Sequence, residues 1–365
     1  MTTLQLGLDS FGDRPVGADG ELVSHAAAIR QVVEEAVLAD QVGVDVVALG
    51  EHHRPEYAIS TPETVLAAIA SRTERIRLAS GVTVLSSDDP VRVFQRFATL
   101  DALSDGRAEV ILGRGSFTES FPLFGYDLAD YDLLFEEKIH LFTELLKEEP
   151  VTWSGTTRPA LRDADVFPKT ESGHLSTWVG VGGSPQSVVR AAHYGLPLML
   201  AIIGGEPGRF APYVDLYRRA TAQLGTTAHP VGMHSPGFVA DTDEEAVEIF
   251  WPHYRLQRDR IGASRGWPPI RREEYDAEVA HGSLYIGSPE TVARKIAAAV
   301  TELGVGRFDM IYTTGAQPAE ARLRNVELYG TQVVPRVREL VAEHAATQDA
   351  AEPTTEPTTE DGDAA

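Results

Sequence analysis

Residues 44–87 read VDVVALGEHHRPEYAISTPETVLAAIASRTERIRLASGVTVLSS. The valine-rich run VDVVALG ends in a polar cluster, PETVLAAIASRT follows with helically spaced apolar residues, and a second β-branched run, IRLASGVTVLSS, comes next. The stretch is therefore strand, loop, helix, strand. Both runs are apolar nearly throughout instead of alternating, as in parallel strands covered on both faces.

The same unit recurs on both sides. Before it stand LQLGLDSF and HAAAIRQVVEEAVLADQVG. After it come PVRVFQRFATLDALSDG, RAEVILGRG with YDLLFEEKIHLFTELLKEE, TWVGVGG with SPQSVVRAAHYG, and PLMLAIIGG with RFAPYVDLYRRATAQLG. The series closes with PVGMHSPGFVAD and DEEAVEIFWPHYRLQRDR, a further helical stretch PETVARKIAAAVTELG, then FDMIYTTG and AEARLRNVELYGTQVVPRVREL. Eight strand–helix units predict a single-domain α/β fold, a (β/α)8 TIM barrel over residues 1–346. An open doubly wound sheet is the alternative, but the first strand runs into DSFGDRPVGADG and not into GxGxxG. Two stretches fall outside the repeat, near 150–175 and 262–285. They read as irregular insertions, one of them with room for a short hairpin, and are the expected seat of substrate choice.

Composition narrows the function. The 365 residues carry a formal net charge of -22, which tells against nucleic acid or an anionic membrane as partner. The chain has no cysteine, which excludes disulfides, thiolate zinc sites, Fe–S clusters and a cysteine nucleophile. The opening MTTLQLGLDSFGD lacks a basic stretch and a long apolar one, so a cytoplasmic location is expected. Residues 347–365, TQDAAEPTTEPTTEDGDAA, contain acids and no base and are expected to form a disordered acidic tail.

In such a barrel, residues at the carboxyl ends of strands face the active site. Glu51, His52 and His53 end the second strand. They read as acid/base groups or as a solvated loop, and without HxH or HExxH spacing a metal site is not expected. Arg114 ends the fourth strand between two glycines, placed to grip an anion or to pair with a neighbouring acid. In TWVGVGGSPQS, Ser184 and Pro185 start a helix, for which capping alone is sufficient reason. The same turn, with Gly182, Gly183, Ser184 and Ser187, also suits a phosphate.

Five motifs in order, EHH, RIRLASGVTVLSSDDPVRVFQRFATLDALSDGR, LGRGSFTESFPLFGYD, VGVGGSPQSVVRAAHYGLP and IGSPETVARKI, resemble the bacterial luciferase-like flavin-dependent monooxygenases from Leu4 to about Glu343. The resemblance implies that His52 is the catalytic histidine beside the flavin. It implies that Arg114, Gly183, Ser184 and Ser187 hold the flavin phosphate, and that a cis Gly81–Val82 bond lies under the isoalloxazine ring. Where some luciferases carry a reactive cysteine, this chain has Gly113.

The implied chemistry is that of an enzyme using reduced FMN and O2 through a flavin C4a-(hydro)peroxide to oxygenate a small molecule. A separate flavin reductase would supply the reduced FMN. Rival readings are hydride transfer with the deazaflavin F420, and a flavin-binding protein without turnover. A homodimer is also expected, with Phe94 and Phe97 on the third helix offered to the interface.

Overall fold

The computed structural model describes residues 4–17 and 19–351, with side chains to residue 347. Its strands are β1 (Gln5–Ser10), β2 (Val46–Leu49), β3 (Arg77–Val84), β4 (Ala108–Gly113), β5 (Val151–Trp153), β6 (Leu161–Ala164), β7 (Ser176–Val181), β8 (Leu198–Ala201), β9 (Gly232–Val239), β10 (Tyr285–Gly287) and β11 (Arg307–Ile311). The helices are α1 (His25–Gln41), α2 (Pro62–Ala70), α3 (Pro90–Leu103), α4 (Ser120–Phe124), α5 (Tyr131–Leu145) and α6 (Pro185–His193), followed by α7 (Ala211–Leu224), α8 (Asp243–Arg265), α9 (Arg272–Ala280), α10 (Pro289–Leu303), α11 (Ala319–Leu328) and α12 (Val334–Ala351).

Strands β1, β2, β3, β4, β7, β8, β9 and β11 pair in parallel in that order, and β11 returns to β1, closing the barrel. These are the eight strands that the apolar runs predict. The expected acidic tail lies outside the described residues from 352 onward, and α12 itself reaches Ala351.

Local chemistry fixes the joints. The Asp89 carboxylate accepts from the N–H groups of Val91 and Arg92, and Pro90 opens α3 where no N–H is needed. α10 stops where Gly304 takes φ of +61°, and β11 follows within three residues. The amino-terminal end of the barrel is sealed by charge. Fully buried Arg307 binds Asp309 and Glu109, and Glu109 also holds Arg77. Burial alone would raise the Glu109 carboxyl, but the two arginines hold it below its ordinary range. The floor is thus closed, and the open end is the one where β2, β4 and β7 finish.

Two expectations are corrected. Phe94 and Phe97 are fully buried, so they offer nothing to a partner. The second apolar stripe of α3 faces α5 within the same chain, with Phe94 and Phe142 in edge contact at 6.4 Å. The stretch 262–285 is not irregular: it completes α8 and contains α9, whose Tyr275 sits in a satellite core with Phe238, Phe250, Leu284 and Ile286. At its end β10, absent from the sequence reading, adds to β9. The stretch 150–175 contains the antiparallel pair β5 and β6.

Candidate functional site

The rim of the mouth is built around a bulge in β3. The Gly81–Val82 bond is cis, and the register against β4 slips between Gly81 and Thr83. Gly81 is tightly enclosed, since a Cβ there would stand 3.1 Å from Asp9 Oδ1. Val82 instead projects across β4 and β7. A Cβ on Gly113 would come within 2.5 Å of Val82 Cγ2, and one on Gly180 within 3.0 Å of Val82 Cγ1. Val82 thus fills the space that a side chain at Gly113 would need.

Glu51 braces this bulge from β2. Its N–H donates to Val82 O at 3.3 Å, while Oε2 accepts from Val84 N–H at 2.8 Å and Oε1 lies 2.9 Å from His53 Nε2. Of the EHH cluster, Glu51 and His53 are thus tied to each other. His52 is not. Its ring lies among Phe11 at 4.9 Å, Tyr57 at 4.4 Å and Phe117 at 5.4 Å between centroids. The residue stays partly accessible, while its Nδ1 is buried without a hydrogen-bond partner. Burial, then the charges of His53 and Arg54, push its pKa down to about 3, so the imidazole is neutral at ordinary pH.

A polar network missed in the sequence stands behind the cage. Buried Asp13 accepts from Gln257 Nε2 at 2.9 Å, Gly315 N–H at 2.8 Å and Thr313 Oγ1 at 3.0 Å. Gln257 Nε2 also reaches Tyr57 Oη at 3.3 Å. Burial raises the Asp13 carboxyl to about 7 against the pull of Arg322. Deeper in the barrel, Asp9 Oδ2 lies 2.8 Å from His234 Nδ1 and Asp9 Oδ1 is buried without a partner. Such partners are 225 to 302 residues apart, beyond any spacing rule.

β4 and β7 are neighbours in the barrel, and Arg114, just past β4, stands three residues before Phe117. Arg114 Nη2 donates to Ser187 Oγ at 3.3 Å and Nη1 to Asp132 Oδ1 at 2.8 Å. Arg190, also missed in the sequence, brings its Nη1 to 3.4 Å from the same Ser187 Oγ. Gly183 turns with φ of +114°, a conformation that favours glycine, and its carbonyl accepts from Tyr213 Oη at 2.8 Å. Nothing stands within 4 Å of where a Gly182 Cβ would be. Ser184 is the N-cap residue of α6, yet its hydroxyl makes no cap bond and reaches Gln186 Oε1 at 3.0 Å instead. Capping alone is therefore not what its side chain does. Arg114 and Arg190, the hydroxyls of Ser184 and Ser187 and the amino end of α6 form a cradle with the chemistry of an anion site.

Among the described residues, no three His, Cys, Asp or Glu side chains are grouped to hold a metal ion, and no helix is long and apolar enough to cross a membrane.

Residues 14–307 match the model of the luciferase-like monooxygenase family. A 4-hydroxyprotoasukamycin monooxygenase of Streptomyces nodosus subsp. asukaensis is 29% identical over 328 residues, covering 83% of this chain and 85% of that protein. Among solved structures, the monooxygenase RslO1 of Streptomyces bottropensis superposes with a TM-score of 0.79 at 25% identity, covering 91% of this chain and 99% of that one. The oxygenating constituent of 3,6-diketocamphane monooxygenase from Pseudomonas putida, solved with FMN, shares the fold with a TM-score of 0.73 at 19% identity, covering 92% and 99% of the two chains. With a closed barrel, a histidine at its mouth and a family match over most of its length, the chain belongs to the luciferase-like monooxygenases.

Proposed function

We propose that this enzyme binds reduced FMN at the carboxyl end of its barrel and uses O2 to oxygenate a small organic substrate. The observation that carries the reading is the contact of Arg114 with Ser187 at the barrel end where His52 follows β2. The residues fit the cofactor. The cradle presents guanidinium, hydroxyl and helix-end groups to a phosphate, Val82 makes a half-exposed apolar floor, and His52 Nδ1 is a buried nitrogen in need of a partner.

Reduced FMN, when bound, would supply the electron pair that activates O2. The protein's own part is binding, drying and proton control. Arg114, Ser184 and Ser187 hold the phosphate, with Gly182 and Gly183 leaving it room. Phe11, Tyr57 and Phe117 pack around the ring of His52, whose Nδ1 is shielded from water. A neutral imidazole there can donate one hydrogen bond from one ring nitrogen and accept one at the other. The described residues form one barrel without a second nucleotide-binding sheet, which supports supply of reduced FMN by a separate reductase. A homodimer belongs to the same proposal, and sedimentation velocity distinguishes it from a monomer.

The test is to mix the protein with chemically reduced FMN or reduced F420 in air, with and without a panel of small ketones, terpenes and phenols. Tight FMN binding with substrate-dependent oxygen uptake is expected. Binding of F420 alone would make the protein a hydride-transfer enzyme, and FMN binding without turnover on any substrate would make it a flavin carrier.

A further inference from the structure

Helix α5 runs beside the anion cradle and carries two carboxylates one turn apart, Asp132 and Glu136. Each is paired with an arginine that also touches Ser187. Arg114 spans Asp132 Oδ1 at 2.8 Å and Ser187 Oγ at 3.3 Å. Arg190 spans Glu136 Oε2 at 2.5 Å and Ser187 Oγ at 3.4 Å. Two guanidiniums thus converge on one buried hydroxyl, which has two lone pairs to accept both. Like charges so placed repel, and each stays because it has a carboxylate of its own.

The two pairs are unequal. The Asp132 side chain is 80% exposed, so its pair with Arg114 is screened by water and easily exchanged. The Arg190 side chain is only 15% exposed, and Glu136 is held a second time by Tyr194 Oη at 3.1 Å.

We propose that α5 supplies the resident counter-ions of this cradle. An arriving phosphate monoester takes Arg114 away from Asp132, which turns to solvent. Arg190, still tied to Glu136, becomes the second guanidinium on the phosphate. The inference rests on reading the cradle as the flavin phosphate site. It makes Asp132 a built-in competitor that loosens the cofactor, as suits a flavin exchanged with a reductase, and Arg190 a residue that selects flavins bearing a phosphate.

Titration of the full-length protein with oxidised FMN and with riboflavin, followed by flavin fluorescence, tests this in wild type, D132N and R190Q. Inorganic phosphate serves as competitor. D132N is expected to tighten FMN binding about threefold, the range of an exposed ion pair, and R190Q to weaken it about tenfold, as for a hydrogen bond to a charged group. Riboflavin affinity should not move in either variant. Because Asp132 is exposed, D132N keeps the fold, and unchanged or weaker FMN binding in that variant overturns the proposal. Equal loss of FMN and riboflavin in R190Q overturns the role of Arg190. If wild type binds FMN no better than riboflavin and phosphate does not compete, the phosphate-site reading itself has failed, whatever D132N does, and the proposal falls with it.

Discussion

Arg114 Nη2 and Ser187 Oγ, 73 positions apart in the chain, meet at 3.3 Å. β4 and β7 are adjacent in the barrel, so a residue just past one strand reaches the first turn of the helix after the other. The contact joins a cation to the amino end of α6, the pairing on which the proposed phosphate site rests.

Replacing Arg114 by methionine removes the guanidinium and keeps much of the volume. The expected result is FMN affinity lower by about 10- to 100-fold, the range of hydrogen bonds to charged groups. Riboflavin affinity should stay the same, and fluorescence quenching measures both.

His52 gives the fold an acid-sensitive component. The folded protein keeps this imidazole neutral down to about pH 3, whereas the unfolded chain takes up the proton near 6.5. Between those values the unfolded state binds more protons. Stability from this residue is full above 6.5 and falls as pH drops, by up to about 1.4 kcal/mol per unit. In H52Q, urea denaturation at pH 7 and pH 5 should show a loss smaller than that of wild type by about 1–2 kcal/mol.

Asp13 works in the opposite direction. Its carboxyl is raised from 3.8 to about 7 by burial, so the folded state is the one that holds the proton in that window. Its contribution is full below 3.8 and is lost as pH rises through 7. D13N should therefore lose about 2–3 kcal/mol less than wild type between pH 5 and pH 8, read from urea midpoints at constant m-value.

Gly113 and Val82 share one volume. A methyl group at 113 would stand 2.5 Å from Val82 Cγ2, so G113A should cost about 1–3 kcal/mol by overpacking. Trimming the valine in the double variant G113A/V82A should recover much of that loss, and a double-mutant cycle by chemical denaturation measures the coupling.

The barrel was legible because its strands are covered on both faces and stay largely apolar, as VVAL in β2 and LMLA in β8 do, with glycine stops between units. β10 was not legible, since three residues behind a polar helix give no period to detect. Phe94 and Phe97 misled for a related reason: a second apolar stripe on a helix looks the same whether the neighbour is α5 or another chain. At the site, motif order located Arg114, Ser187 and His52. Arg190 stands one helical turn beyond Ser187 and was open to the same i, i+3 argument. Asp13 and Asp9 were out of reach, because their partners lie on strands and helices at the other end of the chain and only barrel closure joins them.

The most direct measurement is a crystal structure of the protein soaked with FMN. The account requires the flavin phosphate within hydrogen-bond distance of Arg114 and Ser187, with the ring over Val82 and toward His52. A flavin bound elsewhere, or one whose phosphate points to solvent while Arg114 keeps its contact with Ser187, would contradict it.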